Sequence, residues 1–179
     1  MPDVLVIYAS KMGSTQEIAE AITAHLCVAG LSVDLYPAED APDPIGYRAV
    51  VLGSAVYLRR WRRPALRYLR RHTTTLRGLP VWLFQSGPCG EHDASEGIPT
   101  PRAVRRLIDR TDAFEPVTFG GRLDPARAAG ALARWLSSSK ELRGDFRDWV
   151  AIRGWARGIA GQLGAGEPHL AHEAGPWRP

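Results

Sequence analysis

One pattern constrains the possible fold more than any other: a short, continuously apolar run recurs along the chain, each time ahead of a helical pattern. Residues 4–8, 49–52 and 81–84 form such runs, which are typical of strands buried on both faces of a parallel sheet. A weaker run covers residues 116–119, and residues 31–36 alternate apolar with polar, as expected nearer a sheet edge. This order predicts an α/β fold with a doubly wound, five-stranded parallel sheet and helices on both faces.

The helical patterns carry start and stop signals. Ser14 and Glu17 match a capping box at the start of the first helix, and Gly30 supplies a left-handed stop at its end. Pro64 is well placed for the first turn of a second helix. The last strong helix has one apolar side, formed by Trp149, Ile152, Ala156, Ile159 and Leu163.

Length and composition bound the domain organisation. The 179 residues, 45% of them hydrophobic, suffice for one buried core. We expect a single domain over residues 1–163 and a flexible tail over residues 164–179. The sequence opens without the features of a signal peptide, and its two cysteines have neither disulfide nor zinc-ligand spacing. These observations predict a cytoplasmic protein without a metal site.

The loop after the first strand has the composition of an anion-binding loop: Ser10, Lys11, Met12, Gly13, Ser14 and Thr15. It joins a buried strand to a helix start, where free backbone N–H groups and the helix dipole attract an anion. Gly13 lets the backbone approach a phosphate closely, and the three hydroxyls add donors. The structural alternative is an ordinary helix cap, because Ser and Thr are favoured at helix starts for that reason alone.

Competing nucleotide loops are disfavoured by the residues present. There is no glycine-rich run ending in Lys-Ser or Lys-Thr, and no Gly-x-Gly-x-x-Gly motif. A phospho-receiver domain would need acidic residues after the first strand and an aspartate at the end of the third, where this chain has Ala9-Ser10 and Gly53-Ser54. The sequence therefore argues against ATP, dinucleotides and phosphotransfer.

Three segments resemble a known family. Residues 8–19, with the sequence Tyr-Ala-Ser-Lys-Met-Gly-Ser-Thr-Gln-Glu-Ile-Ala, resemble the flavodoxin phosphate loop. Together with residues 51–57 and 145–152, they are more narrowly similar to the menaquinone-dependent protoporphyrinogen oxidase branch of that family. Met12 departs from the pattern, since many flavodoxins carry a phosphate-binding hydroxyl there.

The resemblance implies noncovalently bound FMN, with its ring between the loops after the third and fourth strands. Such a ring needs an aromatic side chain for stacking and backbone groups for its polar edge, and Tyr57 and Trp61 are the stacking candidates. The loop after the fourth strand has no aromatic residue to cover the other face of the flavin ring and offers Cys89 and His92 instead. That face is then open to a substrate. The cofactor-binding residues predicted in these loops are Ser54, Ala55, Val56, Tyr57, Trp61, Ser86, Gly87, Pro88, Cys89 and Gly90.

By resemblance, the chain is an FMN-dependent oxidoreductase of heme biosynthesis that passes electrons from protoporphyrinogen through the flavin to a quinone. No side chain is expected to be a catalytic acid or base, because the flavin carries the chemistry. The rival hypothesis is an electron-carrier flavodoxin that serves a partner redox enzyme and has no small-molecule substrate of its own. Carrier flavodoxins are usually acidic, whereas this chain has a net charge of +4 and a pI near 9.4, which implies a different partner.

Arginines crowd residues 59–71, where Trp61 and Tyr68 interrupt the series Arg59, Arg60, Arg62, Arg63, Arg67, Arg70 and Arg71. They could hold the propionates of a tetrapyrrole, an acidic redox protein, or an anionic membrane surface near a lipid quinone. Contact with a membrane would place the protein at its inner face. They could equally form a solvated helix face. Nucleic acid is not expected, because no RNA or DNA motif accompanies the charge, and the oligomeric state stays open.

Overall fold

The computed structural model describes residues 2–87, 98–123 and 144–165. The predicted positions Pro88, Cys89, Gly90 and His92 lie outside the described residues, as does the predicted tail beyond residue 165. The elements are β1 (Val4–Ala9), α1 (Ser14–Val28), β2 (Val33–Pro37), β3 (Ala49–Tyr57), β4 (Arg60–Trp61), α2 (Arg63–Arg71), α3 (Thr73–Leu76), β5 (Val81–Gly87), α4 (Arg102–Thr111), β6 (Val117–Gly120), β7 (Arg122–Leu123), β8 (Gly144–Asp145) and α5 (Trp149–Gln162).

The main sheet has the order β2-β1-β3-β5-β6, and every pair in this path is parallel. β2 is an edge strand, in agreement with its alternating pattern. The parallel five-stranded sheet predicted from the sequence is therefore confirmed. In the described part of the chain, no helix is long and apolar enough to cross a membrane.

Each central strand is buried on both faces because helices cover both sides of the sheet. In β1, Val4 and Val6 pack with α1 and α5, whereas Leu5 and Ile7 pack with α2 and α4 on the opposite side. All four side chains have zero exposure. This two-sided burial explains why the strands appear in the sequence as continuous apolar runs instead of alternating ones.

The sequence-based prediction holds at the C-terminal end of α1 and fails at its N-terminal end. At the C-terminal end, Gly30 has φ +90°, and Leu31 donates its N–H to Leu26 O at 3.1 Å, as in a Schellman motif. The predicted stop is confirmed. The capping box is wrong: the N-cap is Gly13 without a side-chain hydrogen bond, because Ser14 and Glu17 bond to residues far along the chain instead.

Two short antiparallel elements were not predicted. β3 and β4 form a hairpin whose two loop residues, Leu58 and Arg59, have φ of +49° and +58°, as in a type I′ turn. β7 and β8 pair separately from the main sheet. Both elements extend from strand ends at the carboxyl edge of the sheet, so they shape the site described below.

Candidate functional site

The carboxyl ends of the strands surround a cleft with about 390 Å³ of empty space, part of it open to solvent. It lies beside β1 and β3, where the order of the sheet reverses, and open α/β sheets bind ligands at such switch points. Most of the predicted residues line it: Ser10, Met12, Ser14, Thr15, Ala55, Val56, Tyr57, Ser86 and Gly87. Gly121 and Arg122 also line the cleft and were not predicted.

The start of α1, beside this cleft, has backbone N–H groups that the helical ladder does not use. Gly13 has φ +88°, a left-handed conformation that glycine adopts without steric cost. The first helical hydrogen bond runs from Glu17 N–H to Gly13 O at 2.9 Å. The N–H groups of Ser14, Thr15 and Gln16 therefore precede the helical ladder and stand at the positive end of the helix dipole.

The hydroxyls of the loop are fixed so that they can donate. Ser10 Oγ accepts the Gly13 N–H at 3.0 Å, and Ser14 Oγ accepts the Arg122 N–H at 2.9 Å. Each hydroxyl keeps its own hydrogen for another acceptor. Because neither caps α1, the ordinary helix-cap alternative does not describe this loop, and the donor set fits a phosphate group.

A buried hydroxyl pair joins the first loop to the neighbouring strand end. Thr15 Oγ1 and Ser86 Oγ lie 2.8 Å apart, and one donates to the other. One hydroxyl hydrogen of the pair stays available to a ligand. Thr15 and Ser86 are 1% and 2% exposed, so this donor is shielded from bulk water.

Glu17, Arg122, Asp145 and Arg147 form an ion network, called here the Glu17 network, beside the loop. Arg122 Nη2 donates to Glu17 Oε1 at 2.9 Å, and Arg147 pairs with both Glu17 and Asp145. The Arg147 side chain is 4% exposed, and its guanidinium carbon lies 4.5 Å from the Trp149 ring centroid. Hydrogen bonding from Arg147 lowers the pKa of Asp145. The network ties α1 to β7 and β8.

Sequence reasoning missed Arg122 and Arg147 as supports of the loop. They lie 105 and 130 residues from Glu17, so no local spacing could indicate the pairing. The signal available was the resemblance over residues 145–152, which marked Arg147 without giving it a role. The structure gives it one, because its guanidinium is shared between α1 and β8.

The structure corrects Trp61 as a stacking residue. Its side chain is 3% exposed, and its Nε1–H donates to Gln85 Oε1 at 2.9 Å, so it belongs to the core under α2 and does not line the cleft. Ser54 is also buried, and its Oγ accepts the Arg62 N–H at 2.9 Å. Both residues support the β3–β4 hairpin instead of facing a ligand.

Tyr57 keeps a position consistent with a flavin ring. It lines the cleft and is half-buried, and burial raises the pKa of its phenol, which stays neutral at physiological pH. Lys11 is exposed and lies in an adjoining depression with Tyr57, outside the cleft itself. The structure thus leaves Tyr57 as the aromatic candidate among the described residues.

Comparisons with known proteins agree with this geometry. Residues 5–128 match the flavodoxin domain family. A search of curated proteins gives no significant match. Among solved structures, a flavodoxin from the domain Archaea is 13% identical, with 90% of this chain and 99% of that chain covered and a TM-score of 0.61.

Two further structures illustrate the range of proteins that share the fold. Flavodoxin 1 from Bacillus cereus is 16% identical, with 90% and 99% of the two chains covered and a TM-score of 0.61. Rubredoxin oxygen:oxidoreductase from Desulfovibrio gigas is 13% identical, with 91% of this chain but 36% of that chain covered and a TM-score of 0.60. The family match indicates a flavin-binding redox domain with FMN as its cofactor. The chain belongs to the flavodoxin domain family.

Proposed function

We propose that this protein is an FMN-dependent electron-transfer protein that exchanges electrons with a redox partner. The observation that carries the proposal is the set of fixed hydroxyl donors at the start of α1, next to an apolar cleft. When bound, FMN supplies reversible electron acceptance and release at its ring. The residues of this chain supply binding, orientation and exclusion of water.

The first loop would hold the phosphate. Ser10 and Ser14 donate their hydroxyl hydrogens, and the N–H groups at the start of α1 complete the donor set. Met12 offers no hydroxyl, so the backbone N–H groups and the neighbouring serines would supply the hydrogen bonds to the phosphate. The positive end of the helix dipole favours the negative charge.

The ends of β3 and β5 would hold the ring. Ala55 and Val56 present apolar surface to the cleft, and Tyr57 presents an aromatic one. The Gly121 N–H donates to Gly87 O at 2.6 Å, which closes one side of the cleft with backbone. This arrangement suits a flat, largely apolar ligand with a charged tail.

The test compares FMN with riboflavin, which has the same ring and no phosphate. We expect FMN to bind at least about 100-fold more tightly, because hydrogen bonds to a charged group contribute about 1.5–3 kcal/mol each. Ser10→Ala should weaken FMN binding about tenfold and leave riboflavin unchanged. Ser32→Ala, an exposed serine outside the site, is the matched control. Fluorescence titration measures the affinity of each of the three proteins for both flavins, and equal affinity of the wild type for FMN and riboflavin would contradict the proposal.

A second candidate function is the oxidation of protoporphyrinogen with a quinone as electron acceptor. Two features favour it: the similarity over residues 51–57 and 145–152, and the exposed arginines near the cleft, which match the carboxylates of such a substrate. Anaerobic mixing of the FMN-loaded protein with protoporphyrinogen and a menaquinone analogue should then form porphyrin above the rate of autoxidation. If porphyrin forms no faster than by autoxidation, this candidate is eliminated, and the proposal of electron transfer to a protein partner is unaffected.

A further inference from the structure

We infer that an arginine-rich surface beside the cleft docks an acidic protein, which is the redox partner required by the proposed function. The surface, called here the arginine surface, combines the β3–β4 hairpin, one side of α2 and the start of α4. It consists of Arg59, Arg60, Arg63, Arg67, Arg70 and Arg102, all of them exposed.

The charges of the arginine surface have no ion-pair partner among the described residues. In the described part of the chain, no carboxylate lies within 4.0 Å of any of these guanidinium groups. Arginines elsewhere do have such partners, for example Arg48 with Asp3 and Arg77 with Asp112. Concentrated charge of one sign creates a field that attracts a partner of the opposite sign.

The shape of the surface favours a protruding protein segment. Arg63 and Arg70 on α2 line a groove together with Arg59, Arg60 and Arg102, with about 1540 Å³ of empty space open to solvent. The nine residues of α2 extend over about 13 Å, so the charges are spread too widely for one carboxylate or phosphate. A groove of this kind admits an acidic helix or loop, whereas a flat bilayer cannot enter it.

The surface is continuous with the cleft. Tyr57 lines the cleft and also lines a second depression together with Arg60 and Arg63. At the tip of the hairpin, Leu58 is 70% exposed and stands in the turn beside Arg59. An apolar side chain bordered by arginines is the composition found at the centre of protein interfaces. A partner seated on this surface would lie next to the flavin, where an electron donor or acceptor is needed.

The test measures electron transfer from the FMN-loaded, dithionite-reduced protein to two heme proteins of opposite charge. Each transfer moves one electron from the reduced flavoprotein to a ferric heme, which becomes ferrous. Cytochrome b5 is the acidic probe and cytochrome c the basic one. We expect the rate with cytochrome b5 to be fast at an ionic strength of about 10 mM and at least about 10-fold slower at about 500 mM, and the rate with cytochrome c to lack this decrease.

Charge reversal locates the docking site. Arg63→Glu should slow reduction of cytochrome b5 about 10-fold at low ionic strength. Arg157→Glu is the matched control, because Arg157 is exposed on α5 and has no ion pair in the described part of the chain; it should change the rate less than about twofold. Equal effects of the two substitutions would overturn the inference.

A flavin-independent measurement separates this inference from the proposed function. A fluorescein-labelled poly-glutamate peptide should bind the protein with or without FMN, and Arg63→Glu should weaken that binding about 10-fold. If the protein fails to take up FMN but binds the peptide in this manner, only the proposed function fails. If FMN binds and Arg63→Glu weakens binding to phosphatidylglycerol vesicles or duplex DNA without affecting the peptide or cytochrome b5, the acidic-protein inference is overturned.

Discussion

Gly13→Asp is expected to abolish FMN binding. The new carboxylate would stand at the start of α1, where the proposed phosphate site lies, and its negative charge would repel the phosphate. Two like charges about 4 Å apart at an effective dielectric constant near 20 repel by about 4 kcal/mol, which corresponds to a roughly 1000-fold loss of affinity. Titration of the apoprotein with FMN, followed by flavin fluorescence, measures the loss. Retained affinity would show that the phosphate lies elsewhere.

Two controls separate this repulsion from backbone strain. Gly13→Asn has nearly the same shape without the charge, and asparagine tolerates the left-handed conformation, so we expect a loss of no more than about tenfold. Gly30→Asp places the same carboxylate at φ +90° and the opposite end of α1, with no atom within 4 Å of its Cβ. This variant should bind FMN as the wild type does.

Arg147→Met should produce the second large effect, a decrease of about 2–3 kcal/mol in the free energy of unfolding. Removing one member of a buried ion pair typically costs 3–5 kcal/mol. We expect a smaller decrease here because Glu17 and Asp145 remain 31% and 43% exposed. The contact with the Trp149 ring is lost as well. Since Glu17 lies in the first turn of α1, FMN affinity should also decrease. Urea denaturation of the apoprotein and FMN titration measure the two effects.

Arg77→Met is the control for this stability change. Arg77 and Asp112 form an ion pair whose members are 63% and 61% exposed, and exposed pairs contribute about 0–1 kcal/mol. The pH dependence provides a second readout. Arg147 lowers the folded-state pKa of Asp145. The contribution of Asp145 to the free energy of unfolding is therefore present above about pH 4 and is lost as the pH falls through the lowered pKa. Arg147→Met should remove this part of the acid sensitivity, whereas equal destabilisation by both substitutions would refute the role of Arg147.

The sequence predicted those parts of the structure that are determined locally. The buried strands were recognised because helices cover both faces of the sheet, which makes their sequences continuously apolar. Gly30 was recognised because a left-handed helix stop favours glycine. The loop from Ser10 to Thr15 could be proposed as a phosphate site because its donors are neighbours in the chain.

Features determined by distant contacts could not be predicted. The β3–β4 hairpin turns at Leu58 and Arg59, which lack the glycine or asparagine that usually marks a type I′ turn. The burial of Trp61 depends on Gln85, a residue of another strand. The partners of Glu17 lie in β7 and just after β8, so the apparent capping box concealed a tertiary ion network.

The hydroxyl pair of Thr15 and Ser86 has a consequence for how a two-part ligand binds. In the proposed site, Thr15 would lie at the phosphate end and Ser86 at the strand end beside the ring. Their 2.8 Å hydrogen bond sets the spacing of the two subsites before any ligand arrives. A molecule that carries both a phosphate and a ring then gains a chelate effect, because binding of one part raises the effective concentration of the other at a subsite already in place.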